Sequence, residues 1–163
     1  MANISSAYGH IEIKMKGARE LAELINKTLK PCEYYTSIDL ESPEDDEPDY
    51  FCSRFWGCGR WSYEANCERF WDWLKQGAEE QKCEDLLEKI RQKDFEIILE
   101  FDDEEGGMGV LYEMTYVIKH KAGEDKVEGY IAEEEDYDYI PENLVELGLY
   151  DSIEDAQEAC GIE

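Results

Sequence analysis

The stretch 7-AYGHIEIKMKGARELAELINKTLKPC-32 changes its period in the middle, and that change decides the fold. Ile11, Ile13 and Met15 alternate with His10, Glu12, Lys14 and Lys16, the two-residue period of a strand with one buried face. From Ala18 onward the apolar positions are Ala18, Leu21, Ala22, Ile25 and Leu29, the spacing of one helical face, and Pro31 closes the segment. The chain opens as a strand followed by an amphipathic helix.

Outward from this unit, 32-CEYYTSIDL-40 reads as a second strand. It is followed by 41-ESPEDDEPDY-50, whose six acids and two prolines predict a flexible acidic loop over 40–50. The segment 49-DYFCSRFWGCGRW-61 is strand-like as far as Trp56 and then turns at Gly57 and Gly59. In 64-EANCERFWDWLKQG-77, Cys67, Phe70, Trp71 and Leu74 share a helical face with Gly77 at the stop. A further helix over 78-AEEQKCEDLLEKIRQKD-94 places Cys83, Leu86, Leu87 and Ile90 together.

Phe95, Ile97, Leu99 and Phe101 then share a strand face, and 104-EEGGMG-109 connects as a hairpin to the long strand 110-VLYEMTYVIKHK-121. A last strand lies in 126-KVEGYIAEE-134. The remainder, 133–163, is an acidic segment in which Pro141 opens a helical turn, and a short C-terminal helix in which Ser152 and Asp155 form the cap. This order predicts one α+β domain over 1–163. Its first seven elements follow the ferredoxin-like split βαβ plan, with helices on one sheet face, extended by additional antiparallel strands and the short terminal helix.

The formal net charge of −26 comes from 42 acidic against 16 basic side chains. Such a field disfavours direct binding of DNA or RNA and favours a basic partner. No apolar run follows 1-MANISSAYGH-10, and no window approaches the roughly 20 apolar residues of a membrane span, so a cytoplasmic chain without membrane contact is expected. Cys32, Cys52, Cys58, Cys67, Cys83 and Cys160 are then reduced thiols.

None of these cysteines has the close pairing of a zinc site, and Cys67 and Cys83 fall on apolar helix faces. Convergence of Cys52 and Cys58 with His10 or His120 stays open at the level of sequence. No nucleophile elbow, phosphate loop or H-E-x-x-H motif is present. The acids 102–105 read as a solvated hairpin tip. We therefore expect neither a catalytic constellation, a metal nor a cofactor.

All four tryptophans lie within 55–74, and Arg54, Arg60 and Arg69 in and beside this stretch are offset by Glu64, Glu68 and Asp72, so the segment is a poor single-strand platform. The turn Trp56-Gly57-Cys58-Gly59-Arg60-Trp61, together with 95-FEIILEFDDEEGGMGVLYEMTYV-117, resembles the YubB-like proteins of plasmids, phages and other mobile elements over about residues 50–120. That resemblance implies a ferredoxin-like domain and a mobile-element origin, and supplies no catalytic residues.

The leading expectation is a non-enzymatic interaction protein, a nucleic-acid mimic or inhibitor that binds a basic protein surface. Its candidate contacts are Glu44, Asp45, Asp46 and Glu47, the aromatics Trp56 and Trp61, and Glu133, Glu134, Glu135 and Asp136. The alternatives are a metal-binding or redox module around Cys52, Cys58 and Cys67, an enzyme using carboxylates, and an acidic α+β domain of unassigned role. Oligomeric state is left open.

Overall fold

A computed structural model describes residues 4–29, 37–60, 62–105, 110–136, 145–146 and 148–159. Strand β1 (Ile4–Met15) and helix α1 (Ala18–Thr28) fall where the period changes. Ala7, Ile11, Ile13 and Met15 are buried on one face of β1, and Leu21, Leu24 and Ile25 of α1 pack into the same core. The first backbone N–H groups of α1 have no side-chain cap; those of Gly17 and Ala18 donate instead to the carbonyl of Pro48, at 2.9 and 3.3 Å.

The acidic stretch expected to be a loop is an edge strand, β2 (Asp39–Glu47), which forms a hairpin with β3 (Tyr50–Arg60) across the Pro48–Asp49 turn. An edge position tolerates what a central strand would not. Pro43 falls at a register shift, where its missing N–H breaks no ladder, and Glu41, Glu44, Asp45 and Glu47 are exposed to water. Of the second strand read over 32–40, residues 32–36 lie outside the described residues.

β3 also runs further than expected. Gly57 and Gly59 are not a turn but core-facing positions within the strand, and both are needed for close approach. A Cβ on Gly57 would stand 2.2 Å from the carbonyl oxygen of Ser37 and 2.5 Å from the Tyr63 hydroxyl, and one on Gly59 would stand 2.3 Å from the Asn66 amide. Helix α2 (Tyr63–Cys67), capped by the Ser62 hydroxyl on the N–H of Ala65, lies directly over that end of the strand.

The single helix expected over 64–77 is divided into α2 and α3 (Phe70–Glu80). The predicted face survives the break, since Cys67, Phe70, Trp71 and Leu74 are all buried. Gly77 does not stop the helix. It lies inside α3 against α1, where a Cβ would come within 2.7 Å of the Thr28 Cβ. The break before α4 (Glu84–Arg91) comes at Lys82, whose φ of 55° ends the helical run.

β4 (Phe95–Glu105), β5 (Val110–His120) and β6 (Glu128–Asp136) complete one antiparallel sheet in the order β2-β3-β1-β4-β5-β6. The connection 106–109 between β4 and β5 lies outside the described residues, as does Pro141. β6 extends through Asp136, so part of the second acidic run is also an edge strand. The terminal helix α5 (Ile153–Ala159) forms with Ser152 accepting from the N–H of Asp155 at 3.1 Å, as its cap predicted. The protein is α+β, with its helix residues gathered in the core on one face of a six-stranded sheet.

Candidate functional site

Strand register builds the site. Even-numbered residues of β1, β3 and β4 turn away from the helices, and the pairing carries them in straight lines across the sheet. One line runs Asp39, Trp56, Tyr8, Asp102, Glu113, Glu135, each directly opposite the next. The neighbouring line runs Arg54, His10, Glu100, Thr115, Glu133. Glu100, Asp102, Glu113, Glu133 and Glu135 thus stand together on three adjacent strands.

These carboxylates border a trough of about 770 Å³ that Tyr8 and His10 also line. On its β1–β3 side Tyr8 and Trp56 are half exposed, at 49% and 48%, although aromatic rings of that size usually bury more. Like charges set directly opposite across strands repel. Asp102 is accordingly held above the ordinary carboxylate range, first by partial burial and then by Glu113. Glu104 is raised by burial and by its neighbours Asp102 and Asp103.

Beside the trough, His10 of β1 and Arg54 of β3 are partly engaged. Glu44 of β2 lies 3.6 Å from both His10 Nε2 and Arg54 Nε, and Arg54 Nη1 donates to the Tyr8 hydroxyl at 3.4 Å. Asp46 faces the other way and is gripped by the two nitrogens of Arg19 on α1. Asp45 and Glu47 are exposed at the rim.

The expected contact residues are therefore divided among several places. Glu44 and Trp56 reach the open face, Glu133 and Glu135 join the trough, and Glu134 pairs opposite the buried Met114, on the helix side of β6. There its charge contributes, after burial and Glu68, to raising Glu64. Asp136 pairs through its backbone with Tyr112, and Trp61 lies outside the described residues. The two acidic strips do not converge. They form opposite edges of the sheet, five strand spacings or about 24 Å apart.

Tyr8, Glu100, Asp102 and Glu113 were not among the expected contacts. Tyr8 had a signal in the sequence: it is an aromatic in the polar phase of an alternating strand, two residues before His10. The three acids share such a phase too, but only the pairing of β1, β4 and β5 makes them neighbours.

The acids 102–105 are not a solvated tip. β4 continues through them, and Asp103 is fully buried on the core face, two residues beyond Phe101. Its carboxylate accepts from the Ser5 hydroxyl and, at 3.0 Å, from the backbone N–H of Tyr63 at the start of α2. Burial raises its pKa, while both hydrogen bonds act in the opposite direction. This carboxylate holds the end of the sheet to α2.

Cys52, Cys58 and Cys67 do not form a cluster. Cys52 and Cys58 are six residues apart in one extended strand, about 20 Å, and Cys67 is buried on the helix side. Among the described residues no three His, Cys, Asp or Glu side chains are placed to hold a metal ion. Burial pushes the Cys52 and Cys67 thiols up, away from the reactive thiolate. His120 is distant from His10, stacked between Trp71 and Phe95 with ring centroids at 4.8 and 4.7 Å.

No described helix is long and apolar enough to cross a membrane. No protein-family model, curated protein or solved structure matches the chain.

Proposed function

We propose that this chain is a non-enzymatic interaction protein that binds a basic protein surface of the kind that otherwise holds nucleic acid. The observation that carries the reading is the sheet face turned away from the described helices, which presents carboxylates in two neighbouring rows beside two half-exposed aromatic rings and is bounded at both edges by acidic strands. A net charge of −26 steers a cationic surface toward the molecule, and the aromatic rings anchor it after contact.

A ferredoxin-like domain and kinship with the YubB-like proteins of mobile elements are part of this reading. It is supported by the order β2-β3-β1-β4, in which α1 carries the chain over β3 and α2 to α4 carry it over β1. The described parts of the two motifs of the resemblance lie on β3 and on the β4–β5 pair, on either side of β1. A reducing, cytoplasmic setting is likewise proposed, and Cys52, Cys58, Cys67 and Cys83 are free thiols.

The test is retention of cell-lysate proteins on the immobilised chain, with stepwise elution. Binding of this kind releases a basic protein when a short DNA duplex is added, and also at 1 M salt, where the Debye length is about 3 Å. A partner that survives 1 M salt and is not displaced by DNA would overturn the reading, as would no retained protein.

A further inference from the structure

We infer that the trough on the open sheet face takes an arginine-bearing extended segment of the partner, with Tyr8 and Trp56 as the stacking surface for its guanidinium groups. This rests on the reading of the chain as a binder of basic surfaces and assigns that binding to one place.

Among the described residues no three His, Cys, Asp or Glu side chains are placed to hold a metal ion, so the carboxylates of the trough do not form a cation site. A volume of about 770 Å³ accommodates side chains. Glu100, Asp102, Glu133 and Glu135, in two neighbouring rows across three strands, call for several positive charges, and an extended chain laid across the sheet supplies them.

The aromatic pair selects arginine over lysine. A guanidinium is planar, less strongly hydrated than an ammonium, and able to stack on a ring while bonding a carboxylate in a bidentate manner. Tyr8 is directly opposite both Trp56 and Asp102, so a single guanidinium can meet a ring and an acid together. On the same face Tyr130 already has a cation, Lys119 Nζ, 5.7 Å from its ring centroid. Among the described residues no cation lies over the rings of Tyr8 or Trp56. The Arg54 guanidinium touching the Tyr8 hydroxyl shows that this corner accepts such a group.

The experiment is calorimetric titration of the full chain with octa-arginine and octa-lysine peptides at 0.15 M salt. The arginine peptide is expected to bind about five- to tenfold more tightly, the effect of one or two stacked guanidinium groups. Tyr8→Leu with Trp56→Leu should bring that ratio close to one. Asp102→Asn with Glu113→Gln should weaken both peptides about tenfold, while Glu84→Gln with Asp85→Asn on α4, which removes the same charge elsewhere, should weaken them far less.

Equal affinities for the two peptides, or a ratio that the aromatic substitutions leave unchanged, would overturn the assignment. If a DNA-displaceable basic protein is still retained by the Tyr8, Trp56, Asp102 and Glu113 variants, the proposed function stands and this site falls. If no basic protein is retained by the unaltered chain, both fall.

Discussion

Asp103 couples the end of the sheet to the helical layer through one carboxylate. Replacing it with Ala leaves the Ser5 hydroxyl and the Tyr63 N–H buried without their acceptor, a loss of about 2–3 kcal/mol. Urea unfolding should show that loss, and Asp103→Asn, which keeps one acceptor oxygen, should lose less. Equal stability of Asp103→Ala and the parent would contradict the role. The residue was legible in part: the phase Phe95, Ile97, Leu99, Phe101 continues to 103 and places an acid on the core face. What concealed it was composition, because a run of four acids reads as solvated when its neighbours in space are unknown.

At the scale of elements, periodicity located every strand and helix that has an apolar stripe, and the face Cys67, Phe70, Trp71, Leu74 survived a break in its helix. It failed for β2, whose side chains mostly face water, whereas β6 was read over 126–134, short only of its acidic end at Asp136. An edge strand needs backbone partners on one side only and no buried stripe, so alternation carries little signal there. Gly57, Gly59 and Gly77 were misread for a related reason. Each is small because another element presses against it, and sequence shows the glycine without showing Tyr63, Asn66 or Thr28.

The acids of β2 guard an open edge. Replacing Glu44, Asp45 and Glu47 by Thr, with Asp46 kept for Arg19, should make the protein self-associate as its concentration rises. Light scattering would detect the growth in mass. A mass indistinguishable from the parent's over the same concentrations would show that charge is not what guards this edge.

For the whole molecule, the carboxylates set the response to pH. Asp102, Asp103, Glu64 and Glu104 all hold protons more tightly folded than unfolded, chiefly through burial. Their contribution is full below the ordinary carboxylate range and is lost as pH rises through their raised values. Glu88 and Asp125 act in the opposite sense. Hydrogen bonds from Arg91 and Gln92 lower Glu88 to about 2, and those from Lys75 and Trp71 lower Asp125.

The stability from Glu88 and Asp125 is present above the ordinary range and lost as pH falls through their lowered values. The thermal midpoint should therefore climb as pH drops from 7 toward about 5 and fall again in stronger acid. Thermal scans over that range test it, and Asp103→Asn should flatten part of the climb. A midpoint that declines steadily from pH 7 downward would show that the lowered pair dominates.

The hydrogen bonds from Gly17 and Ala18 to the Pro48 carbonyl have a kinetic consequence. The first turn of α1 is completed by a hairpin turn about thirty positions further along the chain, so the helix cannot satisfy its own start as it nucleates. The cost of that nucleus is met only when the β2–β3 ribbon docks, which makes a local helix depend on a long-range closure. Helix α1 and the ribbon then form one cooperative unit, and opening the ribbon exposes the beginning of the helix to solvent exchange at the same moment.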